Sequence, residues 1–179
     1  MMLYFALFLA CNRVDEPSGK DIVVQVQKHP SPKVDDFKTK SFECCDTKEA
    51  RAFLDQYLSL TQAMAADDDT KTKEAVTSLV VFTGTPEFAS LAAAEGLQEW
   101  IDGPKYWNTL SRKDIQDDFE AASQLMVNFG NKHKTKKSGS TLTVITAFCP
   151  MAPGRWLQTE ETISNPYYGS EMLTCGVFE

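Results

Sequence analysis

With 179 residues, 42% of them hydrophobic and 24% charged, the chain can bury a core and form one domain with appendages. Its net charge of −7 argues against nucleic acid as the main partner, because phosphate binding needs a basic face. The one basic run, residues 132–137 (KHKTKK), is short and reads as a solvated loop.

The first eleven residues, MMLYFALFLAC, form an apolar run that ends in Cys11. Residues 3–10 are too few to span a bilayer, which takes ~20, but they suit the apolar part of an export signal. Phe8-Leu9-Ala10-Cys11 resembles a bacterial lipoprotein cleavage box, which implies lipidation of Cys11. Asn12 follows, so nothing there resembles the aspartate that retains some lipoproteins at the inner membrane. The expectation is a lipid anchor in the outer membrane, facing the periplasm. Residues 12–45 are polar, contain Pro17, Pro30 and Pro32, and read as a flexible tether. Within it, residues 22–26 read as a transient strand and His29 as solvated.

Helical periodicity starts near Asp46, an N-cap with Glu49 three residues on. Apolar residues then recur at Ala50, Phe53, Leu54, Tyr57, Leu58, Met64 and Ala65. Residues 66–69 make a turn. A second stripe, Ala75, Val76, Leu79, Val80 and Phe82, stops at Gly84. Thr85-Pro86 starts a third helix, with Phe88, Leu91, Ala92, Leu97, Trp100 and Ile101, ending at Asp102-Gly103-Pro104. Ser111, with Asp114 three residues on, caps a fourth, with Ile115, Phe119, Ala122, Leu125, Met126 and Phe129 before Gly130. Residues 141–148 then switch to a period of two and read as a strand. The remainder is rich in Pro and Gly and lacks a stripe. The predicted fold is mainly α: an antiparallel four-helix bundle over residues 46–179, with a C-terminal strand and a loop cap. Met64, Met126 and most aromatics belong to its core.

Export changes what cysteine means, because thiols outside the cytoplasm oxidise unless paired or metal-bound. Cys44, Cys45, Cys149 and Cys175 allow three complete pairings. Bonding Cys44 to Cys45 is disfavoured, since adjacent α-carbons lie about 3.8 Å apart and ordinary disulfides need at least ~4.4 Å. Their place before a helix N-terminus, which lowers a thiol pKa, makes them a second candidate metal pair; the reading preferred here is that one or both pair with another cysteine or stay inert.

The tail repeats one combination in mirror order. Cys149-Pro150-Met151 puts a thiol two residues from a thioether; Met172 and Cys175 reverse it at a spacing of three. In an extended segment residues two apart share a side, and in a helical turn residues three apart do. Thiolate and thioether together select Cu(I) or Ag(I) over hard cations. The same cysteines could instead form a disulfide worth roughly 3 kcal/mol, with the methionines as filler. The two readings are compatible as resting and reduced forms.

The pattern FCPMA, WL, NPYYG and MLTCG resembles the C-terminal signature of a bacterial family of unknown function. That family occurs alone and as an extension of periplasmic adaptors of heavy-metal efflux pumps. The matching residues run from Cys149 to Gly176, and Gln158 stands where the family has Ser. The resemblance implies a helical bundle with a copper-binding cap in the cell envelope. Its ligands would be Cys149, Met151, Met172 and Cys175, and an efflux adaptor or metallochaperone would be the partner. His133 is the only histidine of the predicted domain and a minor ligand candidate. No catalysis is expected. The chain lacks Cys-x-x-Cys with a βαβ pattern and any Gly-x-Ser-x-Gly. The alternative is a disulfide-stapled, lipid-tethered interaction module without metal.

Overall fold

The computed structural model describes residues 34–136 and 141–179. Cys11, residues 22–26 and His29 lie outside them. Among the described residues the fold is mixed, with six helices and a five-stranded antiparallel sheet. A plain four-helix bundle with a loop cap is therefore incorrect.

The long helices follow local signals. α2 (Lys48–Ala65) is capped by Thr47, whose hydroxyl accepts from the Ala50 N–H at 3.2 Å, one residue later than the Asp46 cap expected. α3 (Asp69–Thr83) is capped by Asp68. Thr85 caps α4 (Pro86–Glu95) as read from Thr85-Pro86. Ser111 and Asp114 form a capping box on α6 (Arg112–Lys132), whose side-chain oxygens accept from two of the N–H donors a helix start leaves orphaned.

The third predicted helix is two. Gly96 takes a left-handed φ of 70° and ends α4. α5 (Glu99–Trp107) then runs through Gly103-Pro104 instead of stopping there. Trp100 and Trp107, 2% and 3% exposed, hold α5 against the core, so packing overrides the local stop signal.

The sheet also departs from expectation. β3 (Leu142–Phe148) is its centre. β1 (Phe42–Cys44) pairs with the first half of β3, and β4 (Arg155–Gln158) and β5 (Val177–Phe178) pair with the second half. β2 (Lys134–Thr135) pairs with β1. Part of the basic run therefore belongs to the sheet; Lys132 pairs with Glu95 at 2.6 Å, and the Lys134 ammonium lies 4.1 Å from the centre of the Phe42 ring. α1 (Val34–Lys40) and β1 lie within the stretch read as a tether, so the fold begins upstream of residue 46.

The helices and sheet share one core. Phe53 on α2 meets the rings of Phe82, Phe88, Trp100 and Phe129 at centroid distances of 6.2, 5.1, 5.3 and 5.4 Å. Gly130 continues α6 rather than ending it. A Cβ there would lie 2.8 Å from Leu157 Cδ1, so its bareness lets β4 approach the helix. Buried hydroxyls lock the same seam. Tyr57 donates to Ser123 Oγ at 2.7 Å, Ser123 donates to the Arg155 carbonyl at 2.7 Å, and the Leu157 N–H donates to Tyr57 at 3.2 Å.

Candidate functional site in the C-terminal cap

Cys149 directly follows β3, and Cys175 stands two residues before β5. Those strands pair through Phe148 and Val177, which brings the cysteines to an α-carbon separation of 5.6 Å, where they form a disulfide. Cys149 is wholly buried and Cys175 half-buried. In this state both sulfurs are bonded to each other and neither is a thiolate.

Each methionine sits on a turn beside its cysteine. The Ala152 N–H donates to the Cys149 carbonyl at 3.0 Å, closing the turn that carries Met151. Met151 is 60% exposed, an unusual position for a thioether, while Met172 is half-buried. The Cys175 N–H donates to the Met172 carbonyl at 2.9 Å, so a single turn links the second pair. Tyr168 reaches across from the NPYYG segment, and its hydroxyl donates to the Met151 carbonyl at 2.7 Å. Among the described residues no three of His, Cys, Asp and Glu gather closely enough to hold a metal ion. A donor set larger than the two thiols therefore needs the thioethers. His133 lies apart at the C-terminal end of α6, with Nε2 3.4 Å from Glu95 Oε2 and its ring against Phe129.

Three residues that the sequence marked only as turn or signature positions build the cap. Asn165 is fully buried. Its N–H donates to the Leu173 carbonyl at 2.9 Å, its side-chain amide donates to the Cys175 carbonyl at 3.2 Å, and its side-chain oxygen accepts the Tyr167 N–H at 2.9 Å. It thereby holds the Cys175 turn from below. Gln158 accepts from Trp156 Nε1 at 2.9 Å and from the Ser164 N–H at 3.2 Å, and donates to the carbonyls of Glu160 and Thr162. A serine is too short to span those partners, which explains the glutamine. Trp156 is completely buried, so it packs beneath the cap. The third is Asp67. Its carboxylate accepts from the Ser170 N–H at 2.7 Å and from Arg112 at 2.6 Å. The DDD turn after α2 gave only a turn signal, and the partner that explains Asp67 lies 103 residues away.

That contact demands glycine at the end of NPYYG. Gly169 has a φ of 52°, and a Cβ there would lie 1.9 Å from Asp67 Oδ1. Gly169→Ala is expected to destabilise the protein by about 1–3 kcal/mol and to loosen the Met172–Cys175 turn, read as a lower urea midpoint and lost amide protection there. Hydrogen bonds from Ser170, followed by the Arg112 charge, hold the Asp67 carboxyl below the usual carboxylate range. A lowered folded-state value contributes stability above the ordinary range and loses it as pH falls through the folded value. The stability gap between wild type and Asp67→Asn should therefore shrink on acidification, checked by urea melts across that pH range.

Cys44 and Cys45 are bonded to each other, with α-carbons 3.7 Å apart and both side chains fully buried. This corrects the sequence expectation. The α-carbons keep the spacing of any two adjacent residues, and the bond closes across it where Cys45 bends into a left-handed φ of 71°.

Comparison with protein-family models, with curated proteins and with solved structures found no match.

Proposed function

We propose that the C-terminal cap, in its reduced form, captures a soft monovalent metal ion, with Cu(I) as cargo and Ag(I) as its analogue. The observation that supports this most is the meeting of Cys149 and Cys175 at 5.6 Å between α-carbons, each joined to a methionine by one turn. Reduction takes two electrons and two protons from a thiol reductant and leaves two thiols. On binding, those thiols lose their protons, so capture weakens as pH falls. The thiolates supply charge and affinity, and the thioethers add softness without further charge. Two disulfides in one chain accord with an oxidising compartment. That supports work in the cell envelope, with Cys11 as the lipid anchor and an efflux adaptor or metallochaperone as recipient. The resemblance to the efflux-associated family points the same way.

The test is titration of the reduced full chain with Cu(I) against a competing chelator, beside Met151→Leu/Met172→Leu. The methionine variant should bind at least about tenfold more weakly, about 1.4 kcal/mol. Equal affinities would remove the thioethers from the site. The disulfide itself favours a second reading, a stapled interaction module on a lipid tether. There the methionine variant behaves as wild type and the reduced chain shows no competitive Cu(I) binding.

A further inference from the structure

The two halves of the Cys149–Cys175 bond stand in different surroundings. Cys149 continues the buried run of β3 and has 0% of its surface exposed, as part of the core that includes Trp156 and Phe178. Cys175 lies at the edge of that core, half-buried, directly after the exposed Leu173 and Thr174. Its inner side is filled. At the neighbouring Gly176 a Cβ would lie 3.1 Å from Trp156 Cη2 and from the Phe148 carbonyl oxygen, and 3.2 Å from Ile163 Cγ2. The Cys175 turn is held in place by the Asn165 amide, which donates to the Cys175 carbonyl at 3.2 Å. Thiol–disulfide exchange needs a thiolate to reach one sulfur of the bond. In the folded chain the Cys149 sulfur offers no surface to reach, so exchange has one entrance, at Cys175.

We propose that Cys175 is the site at which an external thiol opens this bond, with Cys149 as the internal thiol that leaves and can return. The ligand class is a thiolate, in a small molecule or on a protein. The proposal rests on the reading of the reduced pair as the form that captures metal; its test contains no metal, so the entrance and the capture can fail independently. In the first step the external thiolate bonds to the Cys175 sulfur and the Cys149–Cys175 bond breaks. Cys149 departs with the electron pair and takes up a proton, and Cys175 carries a mixed disulfide. A second external thiolate then bonds to the external sulfur, which leaves Cys175 as a thiol and yields an external disulfide. In the competing step Cys149 loses its proton, bonds to Cys175 again and expels the external thiolate. The pairing of β3 with β5 keeps Cys149 near for that return. While the mixed disulfide lasts, Cys175 cannot ligate a metal ion, so thiolation there holds capture off. Cys44 and Cys45 are both fully buried, so their bond has no such entrance.

The test treats the oxidised full chain briefly with glutathione, quenches it with acid and N-ethylmaleimide, and maps the products by mass spectrometry. Glutathione on Cys175 with maleimide on Cys149 should exceed the reverse pattern at least about tenfold. The rate should rise in proportion to glutathione, with Cys44–Cys45 still bonded. Glutathione found equally on both cysteines, or mostly on Cys149, overturns the proposal. A rate that does not change with glutathione, or no exchange short of unfolding, overturns it too, because the native entrance is then unused. A second measurement takes Cys149→Ser and Cys175→Ser, each of which leaves one thiol of the pair, and follows their thiolation by oxidised glutathione. Cys149→Ser should react at least about tenfold faster than Cys175→Ser, and urea should close the gap. Equal rates in the folded variants count against the proposal, and the wild-type labelling decides it where either variant folds poorly.

Discussion

Changing Cys149 and Cys175 together to serine is expected to lower the Cu(I) affinity of the reduced chain at least about a thousandfold, or roughly 4 kcal/mol. Serine is a hard, neutral donor at the pH where the thiolate binds, so both charge and softness are lost. The same variant should lower the stability of the oxidised protein by about 3.5 kcal/mol on the loop-entropy model, because the bond closes a loop of sequence separation 26. The two effects separate by redox state. Competition titration of the reduced chain reads the first, and urea denaturation of the oxidised chain reads the second. Full stability loss with unchanged Cu(I) competition would make the pair a staple alone. That result would support the interaction-module reading, in which the cap holds a partner through its surface.

Phe53→Ala is expected to cost about 3–5 kcal/mol, a large share of the ~5–15 kcal/mol that holds a typical domain together. Phe53 is completely buried on α2. Its four aromatic neighbours come from α3, α4, α5 and α6, so one truncation opens a cavity where five helices meet. The surrounding rings are rigid and cannot collapse cheaply into that space. The prediction is a large drop in urea midpoint with an unchanged slope. A loss below about 1.5 kcal/mol would show that the ring cluster relaxes and is not the hub of the core. Because β4, which leads into the cap, is anchored through Tyr57, one turn along α2, and Ser123 on α6, this variant should also speed reduction of Cys149–Cys175.

Much of the helical part was legible because its signals are local. A Thr-Pro pair, or a serine three residues before an aspartate, needs only its own turn to satisfy orphaned N–H groups, as at Thr85 and Ser111. The strand at β3 was legible for the same reason, since alternation is a property of the strand itself. β1, β4 and β5 carry no such signal. They span three, four and two residues, and β4 buries Trp156, Leu157 and Gln158 in succession with no alternation. They are extended because β3 offers open N–H and C=O groups on both edges. Missing them turned a mixed fold into a bundle with a loop cap. At the cap, the cysteines and methionines were marked by spacing, while Asn165, Gln158 and Asp67 were not. Their partners are backbone groups whose positions follow from how the chain folds back.

By itself the sequence determined the helix caps, the apolar stripes, the central strand and the soft character of the donors clustered in the tail. Each is a matter of side-chain chemistry within a few residues. Tertiary structure alone decided that Cys149 pairs with Cys175, that Cys44 bonds to its own neighbour, and that α1 reaches Phe178. Those outcomes turn on which strand edges meet and on one left-handed bend at Cys45, and backbone geometry of that kind is settled by packing between distant segments rather than by any residue type.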